Sequence, residues 1–228
     1  MKDSKEYSDR IRKLYRSLKR KYPKVEQTTY GDPVEALVYA CLSEHLSEKD
    51  ARAAFRRLGE CFVDLNDLRV SRPDEIVEAI GQDTPVTRQI AATITAALRN
   101  VFNQYQNVSL EALKRMGKRP ARRILEEMED VSKFAVDYCM LTALGAYAIP
   151  LTATMVAYLR ECDFVHPEAD EQQIGGFIAR QVTAKNAFEF YTLLRRESES
   201  ATKRKKSRKK SKRKTRKKTK KKKKKAKK

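Results

Sequence analysis

No run of 18 apolar residues occurs in this chain, so no segment of it is expected to span a membrane. The opening stretch, MKDSKEYSDRIRK, is charged throughout and lacks the apolar core of a secretory signal. Cysteine is sparse and scattered, at Cys41, Cys61, Cys139 and Cys162. None of the four sits at C-x-x-C spacing and no histidine completes a zinc set, so no metal site is expected. With no secretion signal, these thiols are expected to stay reduced and partly buried. Convincing strand alternation is also missing, as is any internal repeat in the body, which leaves an all-α chain.

What is abundant is positive charge, and it is local. The 228 residues carry 51 Lys and Arg against 30 Asp and Glu, a formal net charge of +21. Residues 203–228 are all Lys or Arg except Ser207, Ser211, Thr215, Thr219 and Ala226, so 21 of these 26 positions are cationic. The other 30 basic side chains are balanced by the 30 acidic ones, and the body is formally neutral. A lysine-rich segment cannot bury apolar surface and repels itself, so residues 201–228 are expected to be disordered when free, like the tails of linker-histone-like proteins. Its targets are polyanions: DNA, RNA, anionic membrane or acidic protein. The absence of aromatic or amphipathic residues disfavours base stacking and membrane insertion. Ser207, Ser211, Thr215 and Thr219 recur every four residues, and phosphorylation there would lower the charge.

Upstream, helical periodicity dominates. Tyr7, Ile11, Leu14, Tyr15, Leu18 and Tyr22 mark an amphipathic first helix that stops at Pro23, its outer face rich in Lys and Arg. Asp32-Pro33 opens a second, with Asp as N-cap, Pro in the first turn and Glu35 three residues on. Its residues Ala36, Leu37, Ala40, Cys41 and Leu42 predict a buried central helix. His45, just after it, is read as a surface histidine beside the Ser47 cap. Further helices are expected over 47–58, closed by Gly59, over 73–80, over 85–105 and briefly near 109–113. Two more are expected over 170–181 and 183–196, the last capped by Thr183. Residues 117–120 read as a basic linker.

The segment over residues 120–160 organises the rest. Ile124, Leu125 and Met128 precede a turn at Glu129-Asp130. Val131, Ala135, Tyr138, Cys139 and Thr142 follow at steps of three and four, and Gly145 stands where a C-cap glycine belongs. Pro150 is expected to start another helix, with Leu151, Met155, Tyr158 and Leu159 on its stripe. This layout resembles the helix-hairpin-helix DNA glycosylases, most closely the endonuclease III branch, over residues 30–196. That family shows a pattern like L-P-G-V-G-R-K-T-A, then A-F-G-x-P, then V-D-T-H-V-x-R. The matching stretches here are MEDVSKFAV from Met128, ALGAYAIP from Ala143 and LTATMVA from Leu151. Both hairpin glycines are replaced, by Asp130 and Ser132. The family's Schiff-base lysine falls on Phe134 and its catalytic aspartate on Thr152.

The resemblance implies an all-α, two-lobed helical bundle of the endonuclease III type over residues 30–200, after an N-terminal helix in 1–29 and before the basic tail. Many relatives hold an iron–sulfur cluster on four closely spaced cysteines, but this chain has no cysteine after Cys162, so no cluster or other cofactor is expected. The expected function is non-specific DNA binding by a catalytically degenerate glycosylase fold. The alternative is an active glycosylase and abasic-site lyase with an altered site, using Lys133 as a displaced nucleophile. A third reading is a protein-interaction module that the tail only localises. Phe134 is expected to fill the former base pocket, and Asp137 to pair with Lys133 one turn away. Expected DNA-contacting residues are Lys114, Lys118, Arg119, Arg122, Arg123 and Lys133 at the hairpin, and Lys203, Arg204, Lys205, Lys206, Arg208, Lys209 and Lys210 in the tail. The expected partner is duplex DNA, bound by a monomer with no membrane association, in the cytoplasm on the nucleoid, or in a nucleus.

Overall fold

The computed structural model describes residues 4–225, and every regular element among them is helical. The order is α1 (Ser4–Lys21), α2 (Pro33–His45), α3 (Glu48–Cys61), α4 (Leu65–Val70), α5 (Pro73–Ile80) and α6 (Pro85–Tyr105). Then come α7 (Ala112–Arg115), α8 (Lys118–Glu126), α9 (Lys133–Thr142), α10 (Ala153–Glu161), α11 (Glu171–Gln181) and α12 (Ala187–Lys225). The centre is α2, buried from Pro33 to Ser43 except at Glu35, as a helix apolar on all sides must be. Its start is doubly anchored: one Asp32 carboxylate oxygen accepts from the N–H of Val34 at 2.9 Å and of Leu110 at 2.9 Å, and the other accepts from the Ser109 hydroxyl.

One lobe packs α3 and α6 on α2, with α5 against both and α4 against α6; the other gathers α1 and α10 on α12, with α11 against α1, and α9 bridges the two. The first helix is therefore not a separate unit. Its Ile11, Leu14 and Leu18 are buried, and Tyr15 meets Phe190 edge-on with ring centroids 5.5 Å apart.

Several boundaries differ from the sequence expectation. Pro150 does not start α10: Thr152 does, as N-cap, its hydroxyl accepting from the Met155 N–H at 3.3 Å. Gly145 lies beyond the end of α9, with φ +59°, in a turn that returns the Ala146 N–H to the Met140 carbonyl at 2.7 Å. The expected basic linker is the first turn of α8, where Pro120 lacks an N–H that has no intrahelical partner anyway. Thr183 makes no side-chain cap, because a 3-10 turn over Ala184–Asn186 precedes α12. Gly59 sits inside α3, and α4 had no clear sequence signal.

The tail boundary at 201 also moves. Residues 201–207 belong to α12, with Arg204 paired to Glu197 at 2.8 Å and Lys205 to Glu161. The docked part of α12 supplies the helix nucleus, and lysine and arginine propagate it in the absence of glycine or proline. The helical backbone runs on to Lys225. The rest of the disorder expectation falls on residues 208–228, whose side chains lie outside the described residues, as does that of Lys206.

Candidate nucleic-acid interface

The hairpin joins α8 to α9 through residues 127–132. Leu125 and Met128 are buried on its inner side, and Asn100 on α6 donates to the Glu129 carbonyl at 2.7 Å. Asp130 adopts φ +61°, the left-handed conformation that glycine takes most easily and that aspartate tolerates through its short polar side chain. Ser132 caps α9, accepting from the Ala135 N–H at 3.1 Å while donating to Glu44 at 2.6 Å. Aspartate and serine thus hold a turn of the shape that glycines would permit. They also add acid: Glu129 and Asp130 are both exposed at its tip. Because Asp130 sits at positive φ, Asp130→Gly is expected to raise stability by roughly 0.5–1 kcal/mol and Asp130→Val to lower it by about 1–2 kcal/mol, read by urea unfolding.

Behind the turn, Phe134 is only 5% exposed. Its ring stacks on Tyr138 at 6.0 Å with the planes 26° apart, and the Tyr138 hydroxyl lies 2.7 Å from that of Tyr30. Burial, reinforced by the nearby Tyr30 and Tyr191, pushes the Tyr138 phenol far above its ordinary pKa, so it stays neutral. Phe134, Ile149 and Leu151 form the apolar wall of a cleft of about 130 Å³, whose polar rim is Glu44, Lys133, Asp137 and Glu171. Ligand pockets usually enclose roughly 300–1,000 Å³. Thr152 is 6% exposed and its hydroxyl is occupied by the α10 cap.

The cations expected at the hairpin are largely taken up within the fold. Lys133 Nζ lies 2.8 Å from Asp137 and Arg122 Nη2 lies 2.7 Å from the other oxygen of the same carboxylate, so these two converge. Arg122 also pairs with Glu126 at 3.1 Å and Arg123 with Glu127 at 2.8 Å. Lys118 donates to the Leu144 carbonyl, and Lys114 to the Gly31 carbonyl and to Glu111 at 2.7 Å. Arg119 is exposed and has no side-chain partner among the described residues. The expected six-residue patch is therefore mostly compensated, because acids and carbonyls remote in sequence reach its cations. In the tail, Lys203 is exposed and Arg204 and Lys205 are paired; Lys206, Arg208, Lys209 and Lys210 have side chains outside the described residues. His45 is exposed at the end of α2.

Glu44 and Glu171, on the cleft rim, were not anticipated. Glu171 comes from α11, which no local pattern ties to the hairpin. Among the described residues no group of three or more His, Cys, Asp or Glu could hold a metal ion. The cysteines do not fit an iron–sulfur cluster: Cys41 and Cys139 are buried in the core, while Cys61 and Cys162 are exposed at the ends of α3 and α10.

No family profile and no curated protein matches this sequence. Solved structures do. A trapped endonuclease III–DNA covalent intermediate superposes with a TM-score of 0.64 at 13% identity, over 82% of this chain and 84% of the other. The Clostridium acetobutylicum 8-oxoguanine glycosylase/lyase in complex with double-stranded DNA gives 0.66 at 15% identity, over 88% of this chain and 71% of the other. The H. pylori 3-methyladenine DNA glycosylase bound to 1,N6-ethenoadenine gives 0.61 at 15% identity, over 88% and 98%.

Proposed function

We propose that this chain, which has the helix-hairpin-helix DNA glycosylase fold of the endonuclease III type, is a DNA-binding protein without base-excision chemistry. In this reading it holds duplex DNA with little sequence preference through its C-terminal cations, on a nucleoid or in a nucleus. The observation that carries the reading is the absence of both reacting groups at one site. A lyase of this fold needs an amine to attack the anomeric carbon and a carboxylate to stabilise the charge that develops on the sugar. Position 134 holds a buried ring and position 152 a hydroxyl committed to a helix cap. Lys133 is held by Asp137 at 2.8 Å with its side chain largely exposed, not in the desolvated apolar pocket that activates an amine. A ring filling the pocket also occupies the space a flipped nucleotide would need. That fold neighbours were solved with DNA supports the choice of duplex over other polyanions.

One observation favours the second reading, an active enzyme with an altered site: Lys133 and Asp137 do line a cleft beside Phe134. Borohydride trapping on abasic duplex separates the two. The expected result is no covalent adduct and no base release from duplexes carrying oxidised or alkylated bases. An adduct that forms with the native chain and disappears in Lys133→Ala would establish the enzyme.

A further inference from the structure

The charge pattern of α1 differs from that of the rest of the body. Elsewhere, several arginines are matched to an acid three or four residues away, such as Arg52 with Glu48 at 2.8 Å, Arg72 with Glu75 at 2.9 Å and Arg123 with Glu127 at 2.8 Å, and exposed arginines without an ion pair among the described residues, such as Arg99, Arg119 and Arg180, stand on separate helices. On α1 the only acids are Glu6 and Asp9, near its start, taken by Arg10 at 2.6 Å and Arg12 at 3.5 Å. No acid follows until Glu26. Ile11, Leu14 and Leu18 face the core, so at about 100° per residue Lys13, Arg16 and Arg20 fall on the opposite side. All three are exposed, and none has an ion pair among the described residues.

The placement of α1 gives this stripe its meaning. The helix runs beside α12 in the same direction: Lys19 reaches Glu189 at 2.9 Å, and one turn later Tyr22 reaches Glu197 at 2.9 Å. Glu197 also takes Lys21 and Arg204, the latter at 2.8 Å, so the end of α1 and the start of the cationic segment meet on one carboxylate. Burial opposes ionisation of Glu197, but its bonds to Lys21, Tyr22 and Arg204 outweigh that and lower its pKa. Arg196 adds a bond to the Lys24 carbonyl at 3.1 Å. The C-terminal end of α1, where Arg20 stands between the paired Lys19 and Lys21, therefore meets the first cations of the tail at Glu197.

We propose that Lys13, Arg16 and Arg20 form a second phosphate-binding surface, which takes the backbone of the same duplex that the C-terminal cations hold. The stripe is about 10 Å long at 1.5 Å per residue. Duplex DNA presents one charge per roughly 1.7 Å of axis, so each cation has a phosphate within reach. The inference rests on the DNA-binding reading above.

The test measures duplex affinity against salt for the full chain carrying Lys13→Gln, Arg16→Gln and Arg20→Gln together. Each phosphate no longer neutralised flattens the log–log slope by about 0.9, so a change of about 2 to 3 is expected. The melting temperature should not move, since these side chains are exposed and hold no ion pair in the fold. A second triple variant, Lys49→Gln, Arg99→Gln and Lys185→Gln, removes equal charge from elsewhere and is expected to keep the native slope. Equal flattening in both variants would mean that net charge alone acts, and would overturn the surface. An unchanged slope in the first variant, beside steep native binding, would overturn this inference and leave the DNA-binding reading intact. A native chain that binds no duplex would overturn both. A variant weakened on phosphatidylserine vesicles but not on DNA would make the surface a lipid site and overturn it as stated.

Discussion

Removing residues 208–228 is expected to abolish most of the chain's affinity for duplex DNA. Those 21 residues include 17 Lys and Arg and no acid. If about six phosphates are neutralised, the slope is near −5, and affinity falls about a thousandfold between roughly 50 and 200 mM salt. A chain ending at Ser207, left with the two or three phosphates of the α1 stripe, is expected to lose about ten- to fortyfold over the same range. The cut belongs at Ser207 because Arg204–Glu197 and Lys205–Glu161 tie the first cations to the body. Truncation there removes charge without disturbing the clasp around Glu197. Fluorescence anisotropy titrations of the two chains would read the difference. Parallel slopes would relocate the binding to the body and refute the tail as its source.

The largest loss of stability is expected from Arg195→Ala. The Arg195 side chain is 3% exposed, with Glu199 at 3.1 Å and Glu48 at 3.2 Å. It donates further to the Tyr191 hydroxyl at 2.9 Å, to the Leu46 carbonyl at 3.0 Å and to the Ser43 carbonyl. One guanidinium thus closes the end of α2 and the start of α3 against α12. Burial works against its charge, but Tyr191, Glu48 and Glu199 outweigh that and raise its pKa. Alanine would remove the one charged group that joins two carboxylates and two carbonyls, leaving Glu48 with Arg52 and Tyr39 and Glu199 with the Glu48 N–H, a cost of about 3–5 kcal/mol. At roughly 2–4 °C per kcal/mol for a chain of this size, the melting temperature should drop by about 6–20 °C. Arg196→Ala, which removes one bond to the exposed Lys24 carbonyl, should cost well under 1 kcal/mol. Scanning fluorimetry of both variants decides the matter; equal small shifts would refute the keystone role of Arg195.

Local pattern reads well where structure is local. Asp32-Pro33 marks the start of α2 and Ser47 that of α3, because a cap involves residues two or three apart. The Lys133–Asp137 pair was legible for the same reason, its members being one helical turn apart. Pro150 misled because proline in a first turn is only permitted, whereas the Thr152 hydroxyl supplies a missing acceptor.

By itself the sequence determined the helical class, the neutral body with its cationic extension, and the absence of an amine at 134 and an acid at 152. These are matters of residue identity and of spacings within a turn. Only the tertiary structure decided which cations remain free. Arg122 meets Asp137 fifteen residues on, Lys118 meets the Leu144 carbonyl 26 residues on, and Arg195 meets the Ser43 carbonyl across 152. A charge is silenced by whatever lies within about 4 Å of it, and chain order carries no record of that distance until the lobes have packed.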